Sequence, residues 1–248
     1  MNKTLIYYKD FIKELPLKSK YTKDELLIDK FLIDKENNIE IYYAPHNEYL
    51  NKNAKIFIVG ITPGFQQMNK AIVTAREELE KNKSINEIQY KCKVEARFSG
   101  SLRKNIIKML DDIKLNEAVR VKSCSQLFDE SDSLLHTVSL IPYPVFINKE
   151  NYTGHTPKLI KSKFLMGYVY NNFIDEFNNL NNKENILLIP LGKAVEEVLL
   201  KLKDEGILSE NQILIGFPHP SGANVNRLIQ FEENKKKMIE FIEWKKFQ

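Results

Sequence analysis

Four short apolar runs recur along the chain, and each is nearly continuous rather than alternating between apolar and polar residues. Strands that are buried on both faces of a sheet have this pattern. The predicted strands are Lys55–Ile61, Thr137–Ile141, Asn185–Leu191 and Gln212–Phe217. Because helical patterns separate them, we expect an α/β fold of three layers (helix, sheet, helix) around a central, mainly parallel sheet of about four strands.

The segments between these strands carry helix start and stop signals. Ser84 and Glu87 have the spacing of a capping box, Ser101 is a cap candidate for a further helix, and Gly206 has the position of a C-terminal stop. The last helix is predicted from about residue 224 to residue 246. We expect one domain over residues 1–248, with residues 1–40 as an N-terminal helical extension that packs on it.

Composition narrows the class of protein. Hydrophobic residues make up 43% and charged residues 28% of 248 residues, an ordinary balance for a globular chain. The two cysteines, Cys92 and Cys124, are too few for an iron–sulfur cluster or a cysteine-rich zinc site, and they fit a reducing, cytoplasmic setting. The N-terminus is too often interrupted by charge for a signal peptide, and no apolar run approaches the ~20 residues of a membrane span. The net charge of +4 tolerates a polyanionic partner without requiring one.

Two strand ends carry unusual turn chemistry, and ligands bind beyond the carboxyl ends of such strands. "GITPG" (Gly60–Gly64) is a stiff loop whose glycines let backbone amides approach a ligand, although a plain strand-to-helix turn would look the same. "HPSGAN" holds His219 between two prolines, where Ser221 and Asn224 are cap candidates for the last helix. A lone loop histidine is usually just solvated, but one held between prolines at a strand end is less often idle.

Four motifs in order resemble the uracil-DNA glycosylase superfamily, in particular its single-strand-selective and mismatch-specific branches. These motifs are "YYAPHNEYL", "GITPG", "FSGSLRKNI" and "HPSGAN". The resemblance extends from about Tyr42 to the C-terminus. It implies a monofunctional DNA glycosylase without metal or organic cofactor, which acts as a monomer on single- or double-stranded DNA and does not require a membrane.

The resemblance also implies site residues. His219 reaches O2 of the extruded base and Thr62 takes the position of the residue that orients the attacking water. The base-binding residues are Gly60, Ile61, Pro63, Gly64, Phe98 and Ser139. The DNA-binding residues are Ser101, Ser221, Gly222, Ala223, Asn224 and Arg227. Phe98 would stack on the base, and simple core packing is the alternative for its ring.

Two departures from the family pattern bear on the substrate. The family has Asp or Asn where this chain has Thr62, and an Asn where it has Ser139. Loss of that amide weakens the reading of a uracil edge and enlarges the pocket. We therefore expect either a modified pyrimidine, such as a 5-substituted cytosine in phage DNA with an antiviral role, or uracil in DNA repair. The alternatives are a DNA-binding relative with little turnover and an unrelated nucleoside hydrolase.

Two further expectations concern the surroundings of the site. Phe146–Phe164 is predicted to be an insert over the pocket, with a solvated loop that leads into a helix as the alternative. A cluster of cations is expected to contact DNA phosphates. These cations are Lys91, Lys93, Arg97, Arg103, Lys104 and Arg227.

Overall fold

The computed structural model of the chain describes residues 4–98, 100–129, 132–245 and 247. The strands are β1 (Leu32–Glu36), β2 (Ile39–Tyr42), β3 (Ile56–Gly60), β4 (Leu135–Ser139), β5 (Val145–Ile147), β6 (Glu150–Asn151) and β7 (Leu187–Pro190). The α-helices are α1 (Leu5–Glu14), α2 (Lys23–Leu26), α3 (Phe65–Glu80), α4 (Ile85–Ala96), α5 (Ser101–Asp112), α6 (Leu115–Ala118), α7 (Lys163–Tyr168), α8 (Ile174–Asn178), α9 (Lys193–Asp204) and α10 (Arg227–Trp244).

The strands form two sheets. One is a parallel sheet of three strands in the order β4-β3-β7, and it confirms the predicted α/β class with a parallel sheet. The other has the order β1-β2-β5-β6 with antiparallel pairs, and the apolar pattern did not predict it. Positive φ angles at Asn37, Asn148 and Lys149 form its two tight turns.

The fourth predicted strand, Gln212–Phe217, is wrong as a strand. Ile213 makes a single parallel bridge to Leu188, and the Leu214 N–H donates to the Leu188 carbonyl at 2.9 Å. A 3₁₀ turn ends at Gln212, and Gly216 has a φ of +89°. The segment therefore has only three residues in which to extend, too few for a ladder.

The chain divides into two compact units, each built from three segments. The first unit contains residues 1–50, 62–99 and 141–156, and the second contains residues 51–61, 100–140 and 157–248. The single domain with a packed extension stays a prediction. Within the first unit, residues 4–40 help to form the core: Tyr8 stacks on Tyr43 with ring centroids 3.7 Å apart, and both are fully buried together with side chains of α3 and α4.

The second unit is built around the parallel sheet. All of the apolar side chains of β3, β4 and β7 are buried, as are Val195, Val198, Leu199 and Leu202 on one face of α9. Burial of a side chain of this kind contributes about 1.5–3 kcal/mol to folding. The core of this unit therefore fixes the strands whose carboxyl ends carry the candidate site.

The predicted helix starts and stops are confirmed at two positions. The capping box before α4 is confirmed, because Ser84 Oγ accepts from the Glu87 N–H and the Glu87 carboxylate accepts from the Ser84 N–H at 3.0 Å. The stop at Gly206 is confirmed by a φ of +76° directly beyond α9. The last helix ends at Trp244, and residue 246 lies outside the described residues. None of the helices among the described residues is long and apolar enough to cross a membrane.

Candidate functional site

In the second unit, the carboxyl ends of β3 and β4 bring Gly60 and Ser139 together. The two residues are partners in the parallel register, and the Leu140 N–H donates to the Gly60 carbonyl at 2.9 Å. Ser139 is buried, with 8% of its surface exposed. The predicted meeting of strand ends is therefore found for these two residues.

The end of β7 continues this edge toward His219. The Leu191 N–H donates to the Val59 carbonyl of β3 at 2.9 Å, and the Gly192 N–H donates to the Phe217 carbonyl at 3.1 Å. Gly192 has a φ of +89°, and a Cβ on it would lie 2.9 Å from the His219 Cβ. Only glycine therefore permits this approach. Sequence reasoning missed Gly192, although a glycine directly after a buried strand was an available signal.

The ring of His219 accepts a hydrogen bond from its own loop. The side chain is exposed, and its Nδ1 accepts a long hydrogen bond of 3.3 Å from the Ser221 N–H. In a neutral imidazole that accepts at Nδ1, the proton lies on Nε2. The Ser221 amide thus favours the tautomer in which Nε2 is the donor.

The rest of the loop is closed on itself. Arg227 Nη1 donates to the Pro220 carbonyl at 3.0 Å and to the Ser221 carbonyl at 3.1 Å, and Asn224 Nδ2 donates to the His219 carbonyl at 3.2 Å. The capping role predicted for Ser221 and Asn224 is wrong, because α10 begins later, after Asn226. Their side chains serve the loop instead, since Ser221 Oγ accepts from the Ala223 N–H.

The helix α5 is joined to this loop. Ser101 is its exposed first residue, and the N-cap is Gly100 with a φ of +70°, so the predicted cap at Ser101 is wrong. One turn later, Asn105 Nδ2 donates to the Pro220 carbonyl at 2.8 Å. Asn105 could not be predicted from the sequence, because its partner is a backbone carbonyl 115 positions away.

In the first unit, the hydroxyl of Thr62 is hydrogen-bonded to the backbone. Oγ1 donates to the Tyr143 carbonyl at 2.6 Å and accepts from the Val145 N–H at 3.1 Å. A hydroxyl has one proton and two acceptor positions, so Thr62 has one acceptor position left for a water. In the described structure, the Thr62 hydroxyl therefore holds residues 143–145 against the "GITPG" loop.

Amides at the start of α3 are also occupied. The Gly64 N–H donates to Gln67 Oε1 at 3.3 Å, and the Phe65 N–H donates to Asn151 Oδ1 at 2.8 Å. The side chain of Gln67 is occupied as well, because its Nε2 donates to the Ala96 carbonyl at 3.2 Å. A ligand at the "GITPG" loop would therefore rely on the amides before Pro63 rather than on the Gly64 amide.

Phe98 follows α4 and is 7% exposed, as expected for core packing. Its φ of +35° is uncommon for an aromatic residue. Strain of this kind concentrates at functional sites. Its stacking on a base stays a prediction.

The position of Phe146–Phe164 over the pocket stays a prediction, whereas half of the expected cation cluster is buried or ion-paired. Residues 145–151 form the β5–β6 hairpin of the first unit, and Tyr152 beyond it is buried, with its N–H on the Val145 carbonyl at 3.0 Å. Among the expected cations, Lys93 and Arg97 are buried and Lys91 pairs with Glu78 at 2.7 Å. These three cations are thus poorly placed to contact phosphates, whereas Lys104 is exposed on α5.

The parallel sheet and the residues at its carboxyl edge define an α/β protein with a candidate ligand site at the strand ends. A Bacillus subtilis (strain 168) protein named "Uncharacterized protein YoxB" is 45% identical to this chain over 222 residues, which are 90% of this chain and 86% of that protein. The chain therefore belongs to the YoxB family. No model of a known protein family matches it.

One solved structure has a partly similar backbone. "The crystal structure of WT Pedobacter heparinus SMUG2" gives a TM-score of 0.45 at 14% identity, over 92% of this chain and 94% of that chain. The α/β class follows from the strand order and register of the chain itself.

Proposed function

We propose that this protein is a monofunctional DNA glycosylase, which extrudes a pyrimidine and hydrolyses its N-glycosidic bond to leave an abasic site. The observation that carries the proposal is the His219 loop. The backbone and Cβ of His219 pack closely against Gly192 directly beyond β7, and its Nδ1 accepts from the Ser221 N–H. The four motifs that resemble the uracil-DNA glycosylase superfamily support the same function.

The chemistry requires a donor at a developing anion. When the bond between C1′ and the base nitrogen breaks, the electron pair leaves with the base and negative charge appears on O2. The Nε2–H of His219 would donate to O2, a contact that strengthens in the transition state and so lowers the barrier. The amide of Ile61, which directly follows β3, would add a donor at the same edge of the sheet.

Residues beyond His219 would enter the helix from which the base is extruded. Arg227 is a poor candidate because its guanidinium binds carbonyls of its own loop. Ala223 is exposed, and Val225 is 88% exposed while Leu228 and Ile229 exceed 60%. Apolar side chains of this kind are suited to wedging between stacked bases. The wedge would thus be apolar, with Asn224 and Gly222 shaping the loop behind it.

The substrate we propose is a pyrimidine bulkier than uracil, such as a 5-substituted cytosine. The support is Ser139, a small buried residue that pairs with Gly60 in the parallel register. A serine leaves more room than the family's Asn and reads a base edge with a single group. Uracil remains the second substrate to test.

The experiment is single-turnover incubation with DNAs that contain uracil or 5-substituted cytosines, including modified phage DNA, followed by mass detection of the freed base. Ser139→Asn is the matched variant. It should slow release of the larger base, since overpacking commonly costs ~1–3 kcal/mol, and raise release of uracil. A wild type that releases uracil readily, and loses that activity in Ser139→Asn, would contradict the proposed pocket.

A second candidate function is DNA binding with little turnover. It is favoured by Thr62, whose proton is bound to the Tyr143 carbonyl. Tight binding to DNA without release of any base from the whole panel would support this candidate.

A further inference from the structure

One peptide group of the His219 loop is hydrogen-bonded at both its N–H and its carbonyl. It joins Pro220 to Ser221, within the second unit. Its N–H donates to His219 Nδ1 at 3.3 Å, and its carbonyl oxygen accepts from Asn105 Nδ2 at 2.8 Å and from Arg227 Nη1 at 3.0 Å. The peptide that contacts the ring of His219 is therefore anchored by two side chains from outside the tight part of the loop.

The two donors come from different helices of the same unit. Asn105 lies on α5, about one turn after the first residue of that helix, and Arg227 is the first residue of α10. A carbonyl oxygen has two lone pairs, so the two bonds use both acceptor positions of the Pro220 oxygen. Arg227 Nη1 also donates to the next carbonyl, that of Ser221, at 3.1 Å. The loop is thus fixed at this peptide to two helices.

A peptide group is planar, so side chains that fix its carbonyl also fix the direction of its N–H. Hydrogen bonds to the carbonyl polarise the peptide as well, and they make its N–H a stronger donor. Asn105 and Arg227 therefore act on the imidazole of His219 through the peptide that lies between them and the ring.

The proposed reaction depends on which nitrogen of His219 carries the proton. Nε2 must carry it to donate to O2 of the departing base, and the hydrogen bond to Nδ1 favours that tautomer. The prolines on either side of His219 and the close approach of Gly192 restrict its backbone. Because the side chain is exposed, the rotation of the ring and its tautomer depend on hydrogen bonds rather than on burial.

We propose that Asn105 and Arg227 are positioning residues for His219: they fix the Pro220–Ser221 peptide, whose N–H holds the ring with Nε2 protonated. The effect on the reaction rests on the proposed glycosylase function, whereas the effect on the ring is measurable without a substrate. Because the Pro220 oxygen keeps one donor when the other is removed, each residue should partly replace the other.

The decisive measurement is the tautomer of His219, read from the nitrogen chemical shifts of its ring at about pH 8, where an accessible histidine is neutral. The signals are assigned by their loss in His219→Gln. We expect the Nε2–H form to dominate in wild type. Its ratio to the Nδ1–H form should fall several-fold in the double variant of Asn105→Leu and Arg227→Met, which removes both donors and keeps most of the packing.

Base release should show that the two donors replace each other. In single turnover we expect a fall of about 5-fold for Asn105→Leu or Arg227→Met alone and of about 100-fold for the double variant, since misplacement of a reacting group costs that much. The double loss thus exceeds the product of the single losses, as expected for two residues that share one partner. Asn105→Gln keeps an amide and should release base faster than Asn105→Leu when each is combined with Arg227→Met.

Asn179→Leu is the matched control. Asn179 Nδ2 donates to the Asp175 carbonyl of its own helix, also at 2.8 Å. The change therefore removes a bond of the same kind and length from a position outside the His219 loop. It should alter neither the tautomer ratio of His219 nor the rate of release.

A tautomer ratio in the double variant equal to that of wild type would overturn the proposal, as would release at the wild-type rate. A fall in release that only parallels a lower Tm would also overturn it, because that result marks a structural role. If wild type releases no base from any DNA, the glycosylase function is removed, while a tautomer ratio that still falls in the double variant would uphold the positioning of the ring.

Discussion

Two histidines follow a proline in this chain, and they have opposite surroundings. His219 is exposed in the second unit, and its Nδ1 accepts a hydrogen bond from a backbone amide. His46 is buried in the first unit, and its ring nitrogens have no partner among the described residues. Proline stiffens the backbone in both segments. The difference shows that a flanking proline predicts a stiff backbone at a histidine. It does not predict whether the ring is exposed or buried, because that depends on the side chains that pack around it.

The largest expected effect is the loss of folding free energy at acid pH that the buried His46 causes. The folded pKa of His46 is about 3, below the value of 6.5 for an accessible histidine, so the unfolded state takes up a proton first as pH falls. The stability associated with neutral His46 is complete above pH 6.5 and is lost as pH falls toward 3, by on the order of 5 kcal/mol.

The measurement is urea unfolding from pH 7 to pH 4 for wild type and His46→Leu. The variant should lose less stability over this range. Protonation of Glu48, whose pKa burial raises, contributes with the opposite sign and cancels in the difference. Parallel curves for the two proteins would mean that His46 is not buried as described.

The second effect concerns the exposed histidine. His219→Ala should lower single-turnover base release ~100-fold or more, the usual cost of one donor at a developing anion. DNA affinity should change little, because the contact strengthens mainly in the transition state. An unchanged rate of release would contradict the assignment of His219.

The third effect tests what holds His219 in place. Gly192→Ala introduces a Cβ at 2.9 Å from the His219 Cβ at a φ of +89°. We expect the free energy of unfolding to fall by about 1–3 kcal/mol and base release to fall about 10-fold. Gly206→Ala is the control, since its φ is +76° and nothing lies within 4 Å of the added Cβ. It should cost about 1–2 kcal/mol of stability and leave release unchanged. Equal effects of the two changes on release would argue against a positioning role for Gly192.

The smallest effect concerns the phosphate contacts. Lys104 is exposed on the helix whose Asn105 binds the His219 loop, whereas Lys91 pairs with Glu78. Lys104→Gln should therefore reduce the slope of log affinity against log salt by about 0.9 on duplex DNA. Lys91→Gln should leave that slope unchanged. A reduced slope for Lys91→Gln with an unchanged slope for Lys104→Gln would mean that the DNA does not contact α5.

Much of the second unit was predictable because its signals are local. The strands β3, β4 and β7 are continuous apolar runs, and strand ends of parallel strands meet by geometry. The placement of Gly60 and Ser139 at neighbouring strand ends was therefore predictable from the sequence. The antiparallel sheet of the first unit was not, since β1 ("LIDKE") and β6 ("EN") are short and polar. Such strands depend on pairing with distant segments, which periodicity along the chain does not contain.

The hydrogen-bond partners of the site were also beyond the sequence. Asn105, Asn151 and Gly192 act on backbone groups that are distant in sequence, and any polar or small residue reads the same locally. The occupied hydroxyl of Thr62 is a similar case: its residue type suggested a water site, while its partners are the carbonyl of Tyr143 and the amide of Val145. Residue type thus suggested that the Thr62 hydroxyl could bind a water, but not that backbone groups already occupy most of its hydrogen-bonding positions.

The division into two units has a consequence for how the gene can change. The chain passes from one unit to the other after residues 50, 61, 99, 140 and 156, so each unit is assembled from three separate stretches. No single deletion or insertion boundary releases one unit intact, and truncation from either end removes part of one core before it reaches the other. A protein of this kind is inherited or lost as a whole, and recombination cannot exchange half of it as a module.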